Sequence, residues 1–260
     1  MPFLTLNNEI LFFRLFFKFC NHESSRDIVL IHGSGADHSH WPEELMELAD
    51  YNIYFLDLPG HGKSTGPGRD SVAAYADVVA DFIDRRGLKQ VTLFGHSLGS
   101  AIVLTVALRR PAWLEALVLV GAGARLKVLP ALLEQLETDF PGAVAAICQY
   151  LFGPEAAPSL VAAEQQRYLT VDWRLIRDDF VACNRFDVME RLGEIDLPTL
   201  VVTGAADRLT PVKYGQYLED RMPRARFVVI PHAGHIVARE KPQEFVQAVA
   251  QWLPYSRRSG

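Results

Sequence analysis

Short apolar runs rich in β-branched residues alternate with stretches of helical periodicity over the first part of the chain. Strands are predicted at 28–31, 53–56, 91–94 and 116–120, and helices at 43–49, 70–86 and 98–109. A helix that joins two strands of one sheet makes those strands parallel, so the alternation predicts an α/β fold with a mainly parallel central sheet and helices on both faces. The chain has 260 residues, of which 49% are hydrophobic, which is enough apolar material to cover such a sheet.

The alternation stops after the strand at 116–120. Helices alone are predicted from there, at 129–138, 143–152, 159–168, 173–184 and 188–192. Strands resume at 199–203 and 227–230, and a last helix is predicted at 242–252. An all-helical stretch inside a strand–helix series is typical of an insertion. We therefore expect a helical cap at 122–194, over the carboxyl edge of a core built from 1–121 and 195–260.

The N-terminal segment predicts an antiparallel hairpin. The turn is predicted at Asn7-Asn8, between a strand at 3–6 and a long strand that begins at residue 9. Asparagine tolerates the positive φ that a tight hairpin turn requires. The apolar run at 10–19 is too short to cross a bilayer and two basic residues interrupt it, so we expect no stable membrane insertion. A strand that is apolar on both faces needs a cover. A helix of the same domain is favoured over a dimer partner or a membrane surface, which leaves a monomer or a homodimer.

The net charge and the cysteine content limit which classes of partner and which cellular compartment we expect. The formal net charge is −5, without a cluster of Lys and Arg, so a nucleic-acid partner is excluded. The three cysteines, Cys20, Cys148 and Cys183, are widely spaced and form neither a disulfide framework nor a metal knuckle. Free thiols of this kind, together with the lack of a secretory cleavage site, predict a reducing, cytoplasmic location.

The strongest local motif is Gly95-His96-Ser97-Leu98-Gly99, a G-x-S-x-G sequence between a predicted strand and a predicted helix. In this context the serine sits on a strained strand-to-helix turn that exposes its hydroxyl at the sheet edge. Glycines on either side let the backbone pack closely there. The motif therefore predicts Ser97 as a nucleophile.

A serine nucleophile needs a base that a third group orients, and in this architecture the acid precedes the histidine in the chain. Asp207 follows the predicted strand at 199–203, and no carboxylate follows the strand at 116–120, which leaves Asp207 as the acid. Two histidines follow the strand at 227–230. We favour His235 as the base, because the preceding glycine lets its loop turn inward, and expect His232 to be structural.

The predicted oxyanion hole consists of two backbone N–H groups, those of Ser34 and Leu98. Ser34 belongs to the glycine-containing loop that follows the strand at 28–31. Its neighbours His32 and Gly33, together with His96 beside the nucleophile, are predicted to contact the substrate.

None of the other motifs is interpreted as a metal or nucleotide site, so we expect no metal or organic cofactor. Residues 62–64 read Gly-Lys-Ser, but Asp57 occupies the position where a phosphate loop needs its first glycine. The two G-x-G runs lack the third glycine of a dinucleotide site. His38 and His40 have no third metal ligand at a recognisable spacing, and we expect them to border the mouth of the active site.

These motifs together resemble the α/β-hydrolase superfamily along nearly the whole chain. The matching segments are 32–35 with Trp41, 57–64, 95–99, 197–199 with Gly204 and Asp207, and 234–235 with 240–242. Within the superfamily the sequence is most similar to small carboxylesterases with a helical cap. The resemblance implies attack by Ser97, an acyl-enzyme intermediate, and hydrolysis by water that His235 activates.

The predicted function is hydrolysis of a small or medium carboxylic ester, with a small-molecule ester as substrate. A second interpretation uses the same triad to hydrolyse a carbon–carbon bond, an enol-lactone or a peptide. Asp172, Asp178 and Asp179 could hold the amino group of an aminopeptidase substrate, although such charges are more often a solvated helix face. A third interpretation is a ligand receptor on a hydrolase fold that turns over slowly or not at all.

Overall fold

A single eight-stranded sheet forms the centre of the protein. The structure is a computed structural model, which describes residues 2–6, 8–17, 26–48 and 51–256. The strand order is β1-β2-β4-β3-β5-β6-β7-β8. The strands are Phe3–Leu6 (β1), Glu9–Phe16 (β2), Arg26–Ile31 (β3), Tyr51–Leu56 (β4), Val91–His96 (β5), Leu114–Val120 (β6), Thr199–Gly204 (β7) and Ala225–Ile230 (β8). β1 and β2 pair antiparallel, as do β2 and β4, and the remaining pairs are parallel. The predicted α/β class with its N-terminal hairpin is confirmed.

Helices lie on both faces of the sheet. They are Val72–Arg86 (α1), Leu98–Ala107 (α2), Pro130–Thr138 (α3), Phe140–Leu151 (α4), Pro158–Leu169 (α5), Trp173–Arg185 (α6), Val212–Arg221 (α7), Val237–Glu240 (α8) and Pro242–Ser256 (α9). Side chains of α1 and α2 pack into one hydrophobic cluster and those of α9 into another. The ends of α1 follow from its sequence: the Ser71 hydroxyl accepts the Ala74 N–H, and Gly87 adopts the left-handed conformation that closes the helix.

The hairpin is covered mainly by α1. Asn8 takes φ 67° in the turn, and Asn7 lies outside the described residues. Phe13 on β2 is buried, with its ring centroid 5.3 Å from that of Phe82 on α1 and 5.9 Å from that of Tyr54. The sheet and α1 thus bury one face of this apolar strand, as expected. Ile10 on the opposite face stays exposed, as does Leu15 towards the end of the strand.

Four helices, α3 to α6, lie between β6 and β7, and we call them the helical insertion. Their facing residues form a small cluster of their own that includes Val144, Ile147 and Ile176. The insertion follows the carboxyl end of β6, and Ile147, Leu151 and Phe180 from it lie near residues 97 and 235 at that edge of the sheet. None of the helices in the described ranges is long and apolar enough to cross a membrane.

Several elements differ from the sequence prediction. The short helix α8 was not predicted, and the helix predicted at 188–192 is a 3-10 helix, Met189–Glu194. The helix predicted at 43–49 is a short 3-10 helix, Glu43–Glu47, whose N-cap Pro42 makes no side-chain cap hydrogen bond. The helix α7 was not predicted, since only Gly215 and Leu218 of its ten residues are buried and its apolar pattern is weak. Cys148 and Cys183 are buried free thiols, whereas Cys20 lies outside the described residues.

The helix α2 approaches the sheet so closely that its second residue has to be glycine. A Cβ at Gly99 would lie 2.2 Å from the carbonyl oxygen of Ile31 on β3 and 2.7 Å from that of His32. Both are backbone atoms, which a side-chain rotation cannot move away. The distance between α2 and β3 therefore depends on this glycine.

We expect Gly99→Ala to lower the free energy of unfolding by about 3 kcal/mol, since overpacking against backbone cannot relax locally. Urea denaturation measures the change. Gly193→Ala is the matched control, because the nearest atom to its Cβ would be 3.9 Å away, and it should change stability by less than about 0.5 kcal/mol. Equal stabilities of the two variants would contradict this account of the α2–β3 contact.

Candidate active site

Ser97 occupies a strained turn between β5 and α2. Its φ of 52° and ψ of −113° lie in a region that non-glycine residues rarely adopt. The turn is possible because its flanking glycines touch: a Cβ at Gly95 would lie 2.3 Å from the Gly99 carbonyl oxygen. The Ser97 N–H donates to the Val120 carbonyl at 2.9 Å, which ties the turn to β6. The serine is therefore held at the carboxyl edge of the sheet, at the N-terminus of α2.

Asp207 and His235 meet at the same edge, in the loops after β7 and β8. The two strands pair in register up to Gly204 and Ile230, so the following loops emerge side by side. His235 Nδ1 lies 2.9 Å from Asp207 Oδ2, and the two residues are 2% and 5% exposed. The remaining histidine of this loop, His232, is exposed and lies 3.2 Å from Glu155 instead. The structure thus brings His235, and not His232, to the carboxylate.

The Asp207 carboxylate is held by a group that sequence reasoning missed. Thr210 donates its hydroxyl to Oδ2 at 2.8 Å and its backbone N–H to Oδ1 at 2.9 Å, and the Leu209 N–H reaches Oδ1 as well. Burial raises the pKa of Asp207, but the charge and hydrogen bond of His235 and the bonds from Thr210 outweigh it and lower that pKa below its usual value. The carboxylate therefore stays ionised and is able to orient the imidazole.

Ser97 and His235 line one cavity of about 40 Å³, which we call the Ser97 cavity. Among the described residues Ser97 Oγ has no hydrogen-bond partner, so the serine–imidazole bond is not yet formed; in unliganded sites such bonds commonly tighten only around substrate. The walls are mostly apolar, with Ile147, Leu151 and Phe180 from the helical insertion.

Two backbone donors of this site are unused. Neither the Ser34 N–H nor the Leu98 N–H donates to another group in the described part of the chain. Ser34 lines the Ser97 cavity. Leu98 is the first residue of α2, where N–H groups have no intrahelical partner and the helix dipole favours negative charge. The arrangement can receive an oxygen that becomes negatively charged.

Of the three predicted substrate contacts, Gly33 and His96 line the Ser97 cavity and His32 does not. The His32 ring is fully buried and turned away: Nδ1 donates to the Gly33 carbonyl at 2.8 Å and Nε2 accepts the Leu58 N–H at 3.1 Å. Its role is to fix the loop that carries Ser34. The sequence could not show this, because the partner lies 26 residues further along the chain.

His96 supports the loop of His235. Its Nε2 lies 3.0 Å from the His235 carbonyl oxygen and donates to it, and its ring stacks on His40 with centroids 4.6 Å apart. Burial and the neighbouring His235 lower the pKa of His96 to about 3, so its ring is neutral at ordinary pH. His40 lines the Ser97 cavity as expected. His38 does not, since its ring lies 2.9 Å from Asp57.

One group among the described residues has metal-ligand spacing: Asp37, His38 and Asp57. Asp57 is fully buried and already accepts the N–H groups of His38 and Lys63, at 2.6 and 2.8 Å. The Lys63 bond closes the loop between β4 and α1, and the His38 bond ties that loop to the connection between β3 and β4. The carboxylate thus serves as an acceptor for backbone donors.

A larger cavity of about 530 Å³, which we call the outer cavity, borders the next residues of the Ser34 loop, Gly35 to Asp37. Asp172 and Asp178 line it, whereas Asp179 is fully buried. None of these three carboxylates lines the Ser97 cavity. The acidic residues that favoured an aminopeptidase therefore lie away from the nucleophile.

The depressed pKa of Asp207 makes its contribution to stability depend on pH. The ionised carboxylate stabilises the fold above its unfolded pKa of about 3.9, and this contribution is lost as the pH falls through the lower folded value. We expect wild type to exceed Asp207→Asn in free energy of unfolding at about pH 6, and the difference to shrink towards about pH 3. Denaturant titrations at both pH values measure it. A difference that stays constant or widens in acid would contradict the assignment.

Comparisons with known proteins agree with this architecture. The family model described as "Alpha/beta hydrolase family" matches residues 28–248. A pimeloyl-[acyl-carrier protein] methyl ester esterase from Yersinia enterocolitica is 26% identical over 259 residues, which cover 94% of this chain and 98% of the relative.

Solved structures give the same result. A thermophilic esterase is 31% identical with a TM-score of 0.84, over 98% of this chain and 97% of that chain. The enol-lactonase from Burkholderia xenovorans LB400 shares the fold with a TM-score of 0.89 at 22% identity, over 97% of this chain and 100% of that chain. The chain therefore belongs to the alpha/beta hydrolase family, among hydrolases that include esterases.

Proposed function

We propose that the protein is a serine carboxylesterase that cleaves small or medium esters through an acyl-enzyme intermediate. Ser97 is the nucleophile, His235 the general base, and Asp207 the carboxylate that orients it. The Ser34 and Leu98 N–H groups bind the oxyanion. The observation that carries the proposal is the meeting of a strained serine, a hydrogen-bonded His235–Asp207 pair and two unused N–H donors at one sheet edge.

The chemistry follows from these positions. Ser97 Oγ attacks the ester carbonyl while His235 Nε2 takes its proton, and the carbonyl oxygen becomes an oxyanion facing the two N–H donors. When the tetrahedral intermediate collapses, the C–O bond to the alcohol breaks and the alcohol leaves with the proton from His235. Water then attacks the acyl-enzyme, His235 accepts one of its protons, and the acid is released with the serine restored.

The substrate class is supported by the cavity and by relatives. The Ser97 cavity of about 40 Å³ and its apolar walls suit a short acyl group better than a long or charged one. The relative from Yersinia enterocolitica carries the name of a methyl ester esterase. We also propose a reducing, cytoplasmic compartment, since Cys148 and Cys183 are buried free thiols.

Replacement of the nucleophile tests the proposal. We expect Ser97→Ala to lower kcat for p-nitrophenyl acetate by about 10⁶-fold, because the triad acts as a unit. The matched control is Ser159→Ala, which should retain full activity. Ser159 is exposed on α5 and makes no side-chain hydrogen bond in the described chain. Slow hydrolysis that both variants retain would remove Ser97 from the reaction and favour a ligand receptor.

Acyl-chain preference tests the role of the insertion in substrate selection. Ile147 is 4% exposed and lines the Ser97 cavity. We expect wild type to prefer acetate to butyrate in a p-nitrophenyl ester series, and Ile147→Ala to shift the optimum to longer chains because truncation enlarges the cavity. The matched control is Leu129→Ala, a residue that is 73% exposed. The same optimum in all three proteins would contradict the assignment of this cavity to the acyl group.

A further inference from the structure

The helical insertion makes two hydrogen bonds to a single peptide group of the core, the one that joins Ser34 to Gly35. We propose that Tyr168 and Asp179 are positioning residues. They hold this peptide and thereby the Ser34 Cα, to which the preceding Gly33–Ser34 peptide with the oxyanion-binding Ser34 N–H is attached. The inference rests on the proposed function, because it concerns the same reaction.

The two bonds engage both ends of the peptide. The Tyr168 hydroxyl donates to the Ser34 carbonyl at 3.0 Å, and the Gly35 N–H donates to Asp179 Oδ2 at 2.8 Å. Because a peptide group is planar, fixing its C=O and its N–H fixes the orientation of the whole plane. The Arg167 guanidinium adds a third bond, to the Gly35 carbonyl. All three side chains belong to the helical insertion.

The peptide in question is the centre of a tight turn. The Ala36 N–H donates to the Gly33 carbonyl at 3.2 Å, which closes the turn, and Gly35 has φ 62° at its third position. A positive φ there is what a type II turn requires. Inverting the central peptide, so that its C=O and N–H exchange directions, would point the Ser34 carbonyl at the Asp179 carboxylate. It would also leave the Tyr168 hydroxyl without its acceptor. The insertion therefore selects one of the two forms of the turn.

Asp179 is anchored firmly enough to impose this orientation. It is fully buried, and it accepts the Tyr75 hydroxyl of α1 at 2.6 Å and His61 Nε2 at 2.9 Å. Burial lowers the pKa of His61, but the Asp179 carboxylate outweighs it and raises that pKa above its usual value, which favours an imidazolium partner. A buried carboxylate with three donors has a fixed position.

The location of these bonds distinguishes positioning from simple docking of the insertion. Other bonds already attach α5 and α6 to the core, such as those from Arg239 to Glu164 and from Arg185 to Asp70. The bonds of Tyr168, Asp179 and Arg167 are additional to these and meet on the turn that carries an oxyanion donor. The Ser34 hydroxyl also lies 3.8 Å from the Cys183 sulfur of α6. A donor held in advance stabilises developing charge without reorganisation, so its effect falls on the transition state.

The experiment compares Tyr168→Phe, which removes one hydroxyl and keeps the ring, with Tyr150→Phe. Tyr150 is 40% exposed on α4, and its hydroxyl has no hydrogen-bond partner in the described chain. We expect Tyr168→Phe to lower kcat for p-nitrophenyl acetate about tenfold with KM within about twofold, and Tyr150→Phe to change neither. Asp179→Asn, which lacks acceptors for all three donors, should lower kcat about 100-fold.

Binding of a trifluoromethyl ketone gives a second measurement. This ketone adds to the serine and forms an oxyanion, so its inhibition constant should rise by the same factor as kcat/KM falls in Tyr168→Phe. A loss of thermal stability in this variant with unchanged kcat, KM and inhibition constant would reduce Tyr168 to a structural role and overturn the proposal.

Amide hydrogen exchange separates this inference from the proposed function. The Gly35 N–H, bonded to a buried carboxylate, should exchange slowly in wild type and in Ser97→Ala, and faster in Asp179→Asn. The same amide should also exchange faster in Tyr168→Phe. This variant is the milder change, and it provides the test if Asp179→Asn does not fold. If Ser97→Ala keeps esterase activity, the proposed function fails while the exchange data still test the turn. Equal protection of Gly35 in wild type and in the folded variants overturns the positioning role.

Discussion

The close approach of β3, β5 and α2 is the constraint on which the rest of the site depends. Ser97 keeps an unfavourable backbone conformation only because Gly95 and Gly99 let three backbone segments touch where side chains would collide. Strain of this kind costs of the order of 1–3 kcal/mol and persists where the surrounding structure over-determines it. Here the hydrogen bond from Ser97 N–H to β6 and the packing of α2 on β3 supply that support. The position of the hydroxyl is thus set by the sheet.

Burial and hydrogen bonding together set the charges of the groups around that hydroxyl. Asp207 is ionised because Thr210 and His235 compensate its burial. His96 is neutral because burial and the neighbouring His235 ring lower its pKa more than its hydrogen bond to the His235 carbonyl raises it. The neighbouring rings therefore have different tasks, although both are buried histidines. His235 faces a carboxylate and can accept a proton from Ser97. His96 donates to the His235 carbonyl and supports the loop.

Local patterns predicted much of this molecule, because they depend on neighbours in the chain. The strand–helix alternation and the N-terminal hairpin could be read from periodicity, and the pairing of Asp207 with His235 matches loops that follow adjacent strands. The helix α7 was missed since it buries few residues, and His32 was assigned to the substrate although its ring bonds to Leu58. No local pattern marks Tyr168 or Asp179, whose partners lie more than 100 residues away.

In the proposed mechanism the helical insertion has two tasks, one in substrate selection and one at the oxyanion hole. Its apolar side chains, Ile147 and Phe180 among them, form the walls of the Ser97 cavity, and its polar side chains hold the turn at Ser34. The Leu151 carbonyl at the end of α4 also accepts the His235 N–H at 2.8 Å, so the loop of the base is attached to the same element. The side chains of the apolar walls make no hydrogen bond to the Ser34 loop or to the His235 loop. Substitutions among them can therefore change the acyl-chain preference without moving either loop. If the proposed mechanism holds, a substitution at the polar positions lowers the rate for every ester, whatever its acyl chain.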